Sequence, residues 1–93
     1  MDKRKAMDLA YHTAVAQLAE RGEQSGKYYE ISDFVIERDY GVKLIIYDCS
    51  KNDVERARNL GDEAFMEFGR KVCVVEEVGY RMRDEGLQMI VFR

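Results

Sequence analysis

Arg38-Asp39-Tyr40-Gly41-Val42-Lys43-Leu44-Ile45-Ile46-Tyr47 recurs forty-five residues later as Arg83-Asp84-Glu85-Gly86-Leu87-Gln88-Met89-Ile90-Val91-Phe92. Arg, Asp, Gly and Ile recur in register. Four apolar positions are replaced by similar ones: Val42 by Leu87, Leu44 by Met89, Ile46 by Val91 and Tyr47 by Phe92. Self-similarity of this kind points to a repeated supersecondary unit. Each copy opens with R-D-x-G, which suits a type I turn whose glycine takes the left-handed conformation and forms a G1 bulge. Each copy is therefore read as the turn and second strand of a β-hairpin.

A helix is expected before each hairpin. From Ala6 to Arg21, the residues Met7, Ala10, Tyr11, Ala14, Val15 and Leu18 recur at three- and four-residue intervals, which makes one apolar stripe. Gly22 stands where a left-handed C-terminal cap is wanted. A second helix is expected from about Lys51 to Phe68. Ser50 is its N-cap, Asp53 favours the positive end of its dipole, and Gly69 closes it. Val54, Ala57, Leu60, Gly61, Ala64, Phe65 and Phe68 form its stripe. There is no proline to interrupt a helix or strand.

The expected order is α-β-β-α-β-β, a tandem αββ repeat over about 6–48 and 51–93 in a single domain of 93 residues. The expected fold is α+β: a four-stranded antiparallel sheet with two helices packed on one face, which gives two hairpins one continuous core. Two chains exchanging hairpins in an intertwined dimer satisfy the same pattern.

The turn assignment fixes the strand pairing and therefore the faces. It pairs Ile36 with Leu44 and Val35 with Ile45 in the first hairpin, and Met82 with Gln88 and Tyr80 with Ile90 in the second. One face then carries Tyr29, Ile31, Val35, Ile45 and Tyr47 with Val72, Val74, Val78, Tyr80, Ile90 and Phe92. The other carries Phe34, Ile36, Val42, Leu44 and Ile46 with Val75, Leu87, Met89 and Val91. The first face has the larger side chains and is assigned to the helices. The second is apolar as well, although a solvated sheet face normally alternates with polar residues. Phe34, Ile36, Leu44, Ile46, Met89 and Val91, rimmed by Arg38, Arg81 and Arg83, are thus the candidate contact residues. The expected partner is a second copy, forming a homodimer, or another protein.

Residues that carry chemistry are sparse. His12 is the sole histidine, and no metal-ligand spacing surrounds it. Pairing it with Cys49 or Cys73 as a catalytic dyad has no local support. The glycines are isolated and do not make a phosphate loop. Glu76 and Glu77 are neighbours on an expected strand, so they point to opposite faces. Cys49 and Cys73 are read as reduced thiols beside apolar strands. No cofactor, catalytic residue or metal site is expected, and the chain is read as non-enzymatic.

A net charge of −3 lacks the basic excess of a dedicated nucleic-acid binder. Lys3-Arg4-Lys5 and the arginines Arg81, Arg83 and Arg93, with sheet aromatics, keep a nucleic-acid-binding module as the alternative. No apolar run reaches the ~20 residues a membrane helix needs, and no secretory leader is visible, so a cytoplasmic protein without a membrane partner is expected. The reading is a small regulatory or inhibitor-type protein-binding module that associates with itself through an apolar sheet face.

Overall fold

The computed structural model describes residues 2–37, 39–69, 73–83 and 86–92, with Ile36 described by its backbone alone. Arg38, Val72, Asp84, Glu85 and Arg93, named above, lie outside the described residues. The elements are α1 (Lys3–Ser25), β1 (Tyr29–Ile36), β2 (Asp39–Tyr47), α2 (Lys51–Asn59), α3 (Asp62–Phe68), β3 (Val74–Arg83) and β4 (Gly86–Val91). The strands form one antiparallel sheet in the order β1-β2-β3-β4, so the class is α+β.

Each helix end has a local cause. Asp2 caps α1 by accepting from the Arg4 N–H at 3.1 Å. The helix runs through Gly22 and stops at Gly26, whose φ of 68° lets its N–H turn back to the Glu23 carbonyl. Gly22 is therefore not the cap. It is buried inside the helix, and a Cβ there would lie 2.6 Å from the Tyr29 ring. Its bare backbone is what lets Tyr29 pack. Ser50 does cap α2: its side chain accepts from the Asp53 N–H, and the Asp53 carboxylate accepts from the Ser50 N–H. The single helix expected over 51–68 is instead two, broken at Gly61, where a φ of 111° favours glycine.

The hairpins differ most from expectation. The first turns between Ile36 and Asp39, not at Asp39–Tyr40, and Glu37 takes a φ of 56°. Ile36 pairs with Asp39 where Leu44 was expected, a shift of five positions. In the second hairpin Met82 pairs with Leu87 in place of Gln88, a shift of one. Both shifts are odd, so β2 and β4 present the opposite faces to those expected. β1 keeps its faces, and β3 does so from Glu76 onward, whereas the irregularity between Ile46 and Tyr47 turns Val74 to the Tyr47 side.

The reason lies in the charged residues. On β2, the alternate set Val42, Leu44 and Ile46 is wholly aliphatic, whereas Gly41, Ile45 and Tyr47 share their face with Lys43. On β3, Val78, Tyr80 and Met82 alternate with Glu77 and Arg81. Covering Lys43 with a helix would strip water from a charge, at a cost larger than the gain from burying one more ring. The core beneath α1 is accordingly Ala14, Leu18, Val42, Leu44, Ile46, Val78 and Met82, with Tyr29, Ile31 and Tyr80 packed against it. Leu44 and Ile46 are thus core residues, not contact residues.

The helices do not share a face. Val54 of α2 packs with Tyr47 and Cys73, joined by Ile45, Phe65 and Phe68. Ile45 and Tyr47 alternate with Leu44 and Ile46 along β2, so α2 and α3 cover one end of the face opposite α1.

Candidate functional site

An α-helix is about 10 Å wide. Four strands spaced about 4.8 Å apart span roughly 14 Å between the outer axes, before side chains are counted. One helix cannot cover such a face. Hydroxyl bonds hold α1 over β1–β3: Tyr11 donates to Asp33 at 2.5 Å and Tyr80 donates to Gln17 at 2.6 Å. Arg21 makes an ion pair with Glu76. α1 also meets β4, but covers that outer strand only in part.

Leu87, Met89 and Val91 of β4 pair with Met82, Tyr80 and Val78, so they lie on the α1 face. They are 37 %, 53 % and 69 % exposed, against buried Met82 and Val78 on the neighbouring strand. Their backbone is open too. The Phe92 N–H donates to the Glu77 carbonyl at 3.3 Å. Bonded and non-bonded pairs alternate in an antiparallel ladder, so Gly86, Gln88 and Ile90 share that bonding to β3. Leu87, Met89 and Val91 turn their N–H and C=O groups to the outer edge. A row of apolar side chains and a row of free backbone groups therefore coincide on one strand. That strand carries no charged residue from Gly86 to Phe92. Charges and prolines are the usual means of blocking such an edge.

The candidate residues fall into three places. Met89 and Val91 are on this edge, and Leu87 completes the row. Leu44 and Ile46 are buried beneath α1. Phe34, Arg81 and Arg83 belong to the opposite face, and the side chain of Ile36 is outside the description. On that opposite face Phe34 lies over Gly41, where a Cβ would come within 2.5 Å of its ring. Its ring meets Phe92 edge-to-face at 5.2 Å, so two outer strands touch across the two inner ones. Lys43 sits 5.4 Å from the Phe92 ring centre and bonds Glu77 at 2.9 Å. Asp39 accepts from Arg83 Nε at 3.2 Å and has Arg81 Nε at 3.7 Å. The expected split of the adjacent glutamates holds: Glu76 meets Arg21 of α1, and Glu77 meets Lys43 on the far side.

One polar cluster escaped the sequence reading. The Glu30 carboxylate accepts from the Tyr28 hydroxyl at 2.8 Å, the Tyr47 hydroxyl at 2.9 Å and Arg58 Nη1 at 2.7 Å. The Arg58 guanidinium, with help from both hydroxyls and against desolvation, holds the Glu30 carboxyl below the usual range. Burial and then the bond to Glu30 push the Tyr47 phenol up. Arg58 also rests 4.9 Å from the Phe65 ring centre. This cluster ties α2 to β1. Its only legible signal was Tyr28 and Glu30 at two-residue spacing on an expected strand.

His12 is exposed on α1 with its ring edge-on to Tyr11 at 5.7 Å, whereas Cys49 and Cys73 belong to the cluster of α2 and α3. Among the described residues no three metal-ligating side chains gather. An open groove of about 580 Å³ beside Tyr40 mixes Asp2 and Asp8 with Lys3 and Arg4, so it presents no single sign of charge. No helix among the described residues is long and apolar enough to cross a membrane. The sequence matches no known family model, and comparison with curated proteins and with solved structures gives no significant match.

Proposed function

We propose that this chain is a non-enzymatic protein-binding module of regulatory or inhibitor type that associates with itself along β4. The supporting observation is the coincidence, on one uncharged edge strand, of the exposed Leu87–Met89–Val91 row with outward-facing backbone groups. The strand suits its own partner. Antiparallel pairing about Met89 sets Leu87 against Val91 of a second copy and Met89 against Met89, apolar against apolar along the row on the α1 face, with Gln88 against Ile90 on the other face. The two sheets become one of eight strands, and the uncovered strip beside each α1 is shared between the copies. Main-chain bonds supply the affinity and the apolar row sets the register.

The test is the solution mass of the chain and of Met89→Asp. The chain is expected as a dimer. Met89→Asp is expected as a folded monomer with native circular dichroism, because Met89 is exposed in the single chain. Its melting temperature should lose the concentration dependence that dimerisation gives the unaltered chain. A monomeric chain at high micromolar concentration would overturn self-association.

A second reading, a nucleic-acid-binding module on the opposite face, is favoured by the gathering of Phe34, Phe92, Lys43 and Arg81 there. The carboxylates paired with Lys43, Arg81 and Arg83 reduce the field such a surface would offer a phosphate. Binding to a fluorescent single-stranded oligonucleotide that weakens steeply with salt would support this reading over the first.

A further inference from the structure

We propose that Cys49 and Cys73 are a neighbouring thiol pair that closes slowly into a reversible intrachain disulfide on exchange with a low-molecular-weight disulfide. The pair is placed by backbone. Beyond the last β2–β3 pair, Tyr47 with Val74, the ladder continues through the Asp48 N–H to the Cys73 carbonyl at 2.6 Å. Cys49 follows Asp48 directly, so it enters α2 alongside the start of β3. Both thiols are free, Cys73 buried and Cys49 half-buried. Both belong to the Tyr47–Val54 cluster, and both line a cleft of about 240 Å³ with Asp53, Leu60 and Phe68. A small oxidant therefore has an approach to Cys49, and Cys73 is the neighbouring thiol in the same cleft.

The exchange balances in two steps. The Cys49 thiolate, its proton lost to water, attacks one sulfur of the oxidised reagent and expels a thiolate, which takes up a proton. Cys73 then loses its proton and attacks Cys49 of the mixed disulfide, expelling the second thiol. Two cysteines are oxidised and one reagent disulfide is reduced to two thiols. Burial, and then the neighbouring Cys73, push the Cys49 thiol up to about 12. Little thiolate is present at neutral pH, so the first step is slow there and quickens with alkali. Closure staples the entry of α2 to the start of β3, leaving α2 and α3 in a closed loop. The proposal is independent of the β4 edge.

The test exposes the 93-residue chain to excess oxidised glutathione at pH 8.5 and reads intact mass and free thiols. The expected product has lost two hydrogens, titrates no free thiol, runs as a single chain under denaturing non-reducing conditions and returns to the starting mass with dithiothreitol. Cys73→Ser, which keeps the chain folded only if Ser is tolerated there, is paired with Cys73→Ala. In whichever variant retains the native circular dichroism, a stable glutathione adduct on Cys49 is expected. Two free thiols remaining after oxidation, a glutathione adduct persisting on the unaltered chain, or disulfides only between chains would each overturn the proposal.

Discussion

Arg38-Asp39-Tyr40-Gly41 and Arg83-Asp84-Glu85-Gly86 share three residues and are put to different uses. In the first hairpin the turn comes before Asp39, so Asp39 opens β2 and Gly41 falls in mid-strand beneath the Phe34 ring. In the second, Arg83 closes β3 and Gly86 opens β4 with a φ of 130°. The first arrangement places the Asp39 carboxylate against Arg83, so one copy of the phrase binds the other across β2 and β3. The difference teaches that turn chemistry allows several registers and the strand interiors choose among them. Val42, Leu44 and Ile46 must be covered, and Lys43 must not. The outcome for the outer strands is unequal: β1 is held by α1 and by Arg58 of α2, whereas β4 is only partly covered by α1 and leaves Leu87, Met89 and Val91 exposed.

The largest effect should separate Leu44 from its repeat counterpart Met89. Leu44→Asp buries an unpaired charge beneath α1 and is expected to leave the chain unfolded, or to cost more than about 4 kcal/mol. At a concentration low enough to dissociate the dimer, Met89→Asp is expected to change stability by less than about 0.5 kcal/mol, as exposed substitutions do. Urea unfolding followed by circular dichroism measures both, and equal losses would break the contrast.

The glycines of the two phrases should differ next. A Cβ at Gly41 would sit 2.1 Å from the Tyr80 carbonyl oxygen, a backbone atom that cannot swing away. Gly41→Ala is expected to cost about 3 kcal/mol, at the upper end of overpacking. Gly86 has open space around it, and Gly86→Ala should cost about 1–2 kcal/mol from its backbone angle alone. Melting temperatures of the two variants order these costs, and the reverse order would contradict the register described for β2.

A smaller effect tests the brace on β1. Arg58 holds the Glu30 carboxyl below its ordinary value, so the unfolded chain binds a proton there before the folded chain does. The stabilisation is present above the unfolded value of about 4.3 and is lost as pH falls through the lower folded value. Glu30→Gln should lower stability by roughly 1 kcal/mol at pH 7, a modest figure because Arg58 is partly in water. The gap should narrow below about pH 4. A gap that stays constant from pH 7 to pH 3 would show that the cluster does not depend on the Glu30 charge.

Much of the fold is legible in the residues. Period-two and period-3.6 patterns give four strands and the helical segments, and Ser50 with Asp53 gives a cap. The faces of β1, and of β3 from Glu76 onward, follow from alternation, but the irregularity that turns Val74 to the other side left no sign in it. The errors come from positions where two physical readings compete. Gly22 has the composition of a cap, but the better cap is Gly26, and the space Gly22 leaves is needed by Tyr29. Gly61 in an apolar stripe reads as helix interior, yet its freedom at positive φ breaks the helix there. For the sheet, placing the first turn at Asp39–Tyr40 turned β2 around, and a one-residue slip did the same to β4. Of the candidate residues, Met89 and Val91 are exposed because β4 is the outermost strand. Leu44 and Ile46 are buried, and their repeat equivalence to Met89 and Val91 concealed that one strand is central and the other is outermost.

The most direct test of the central claim is sedimentation equilibrium of the chain over a tenfold concentration range, alongside Met89→Asp. Twice the single-chain mass is expected for the unaltered chain and the single-chain mass for the variant. A single-chain mass for both, or a dimer for both, would contradict pairing through β4.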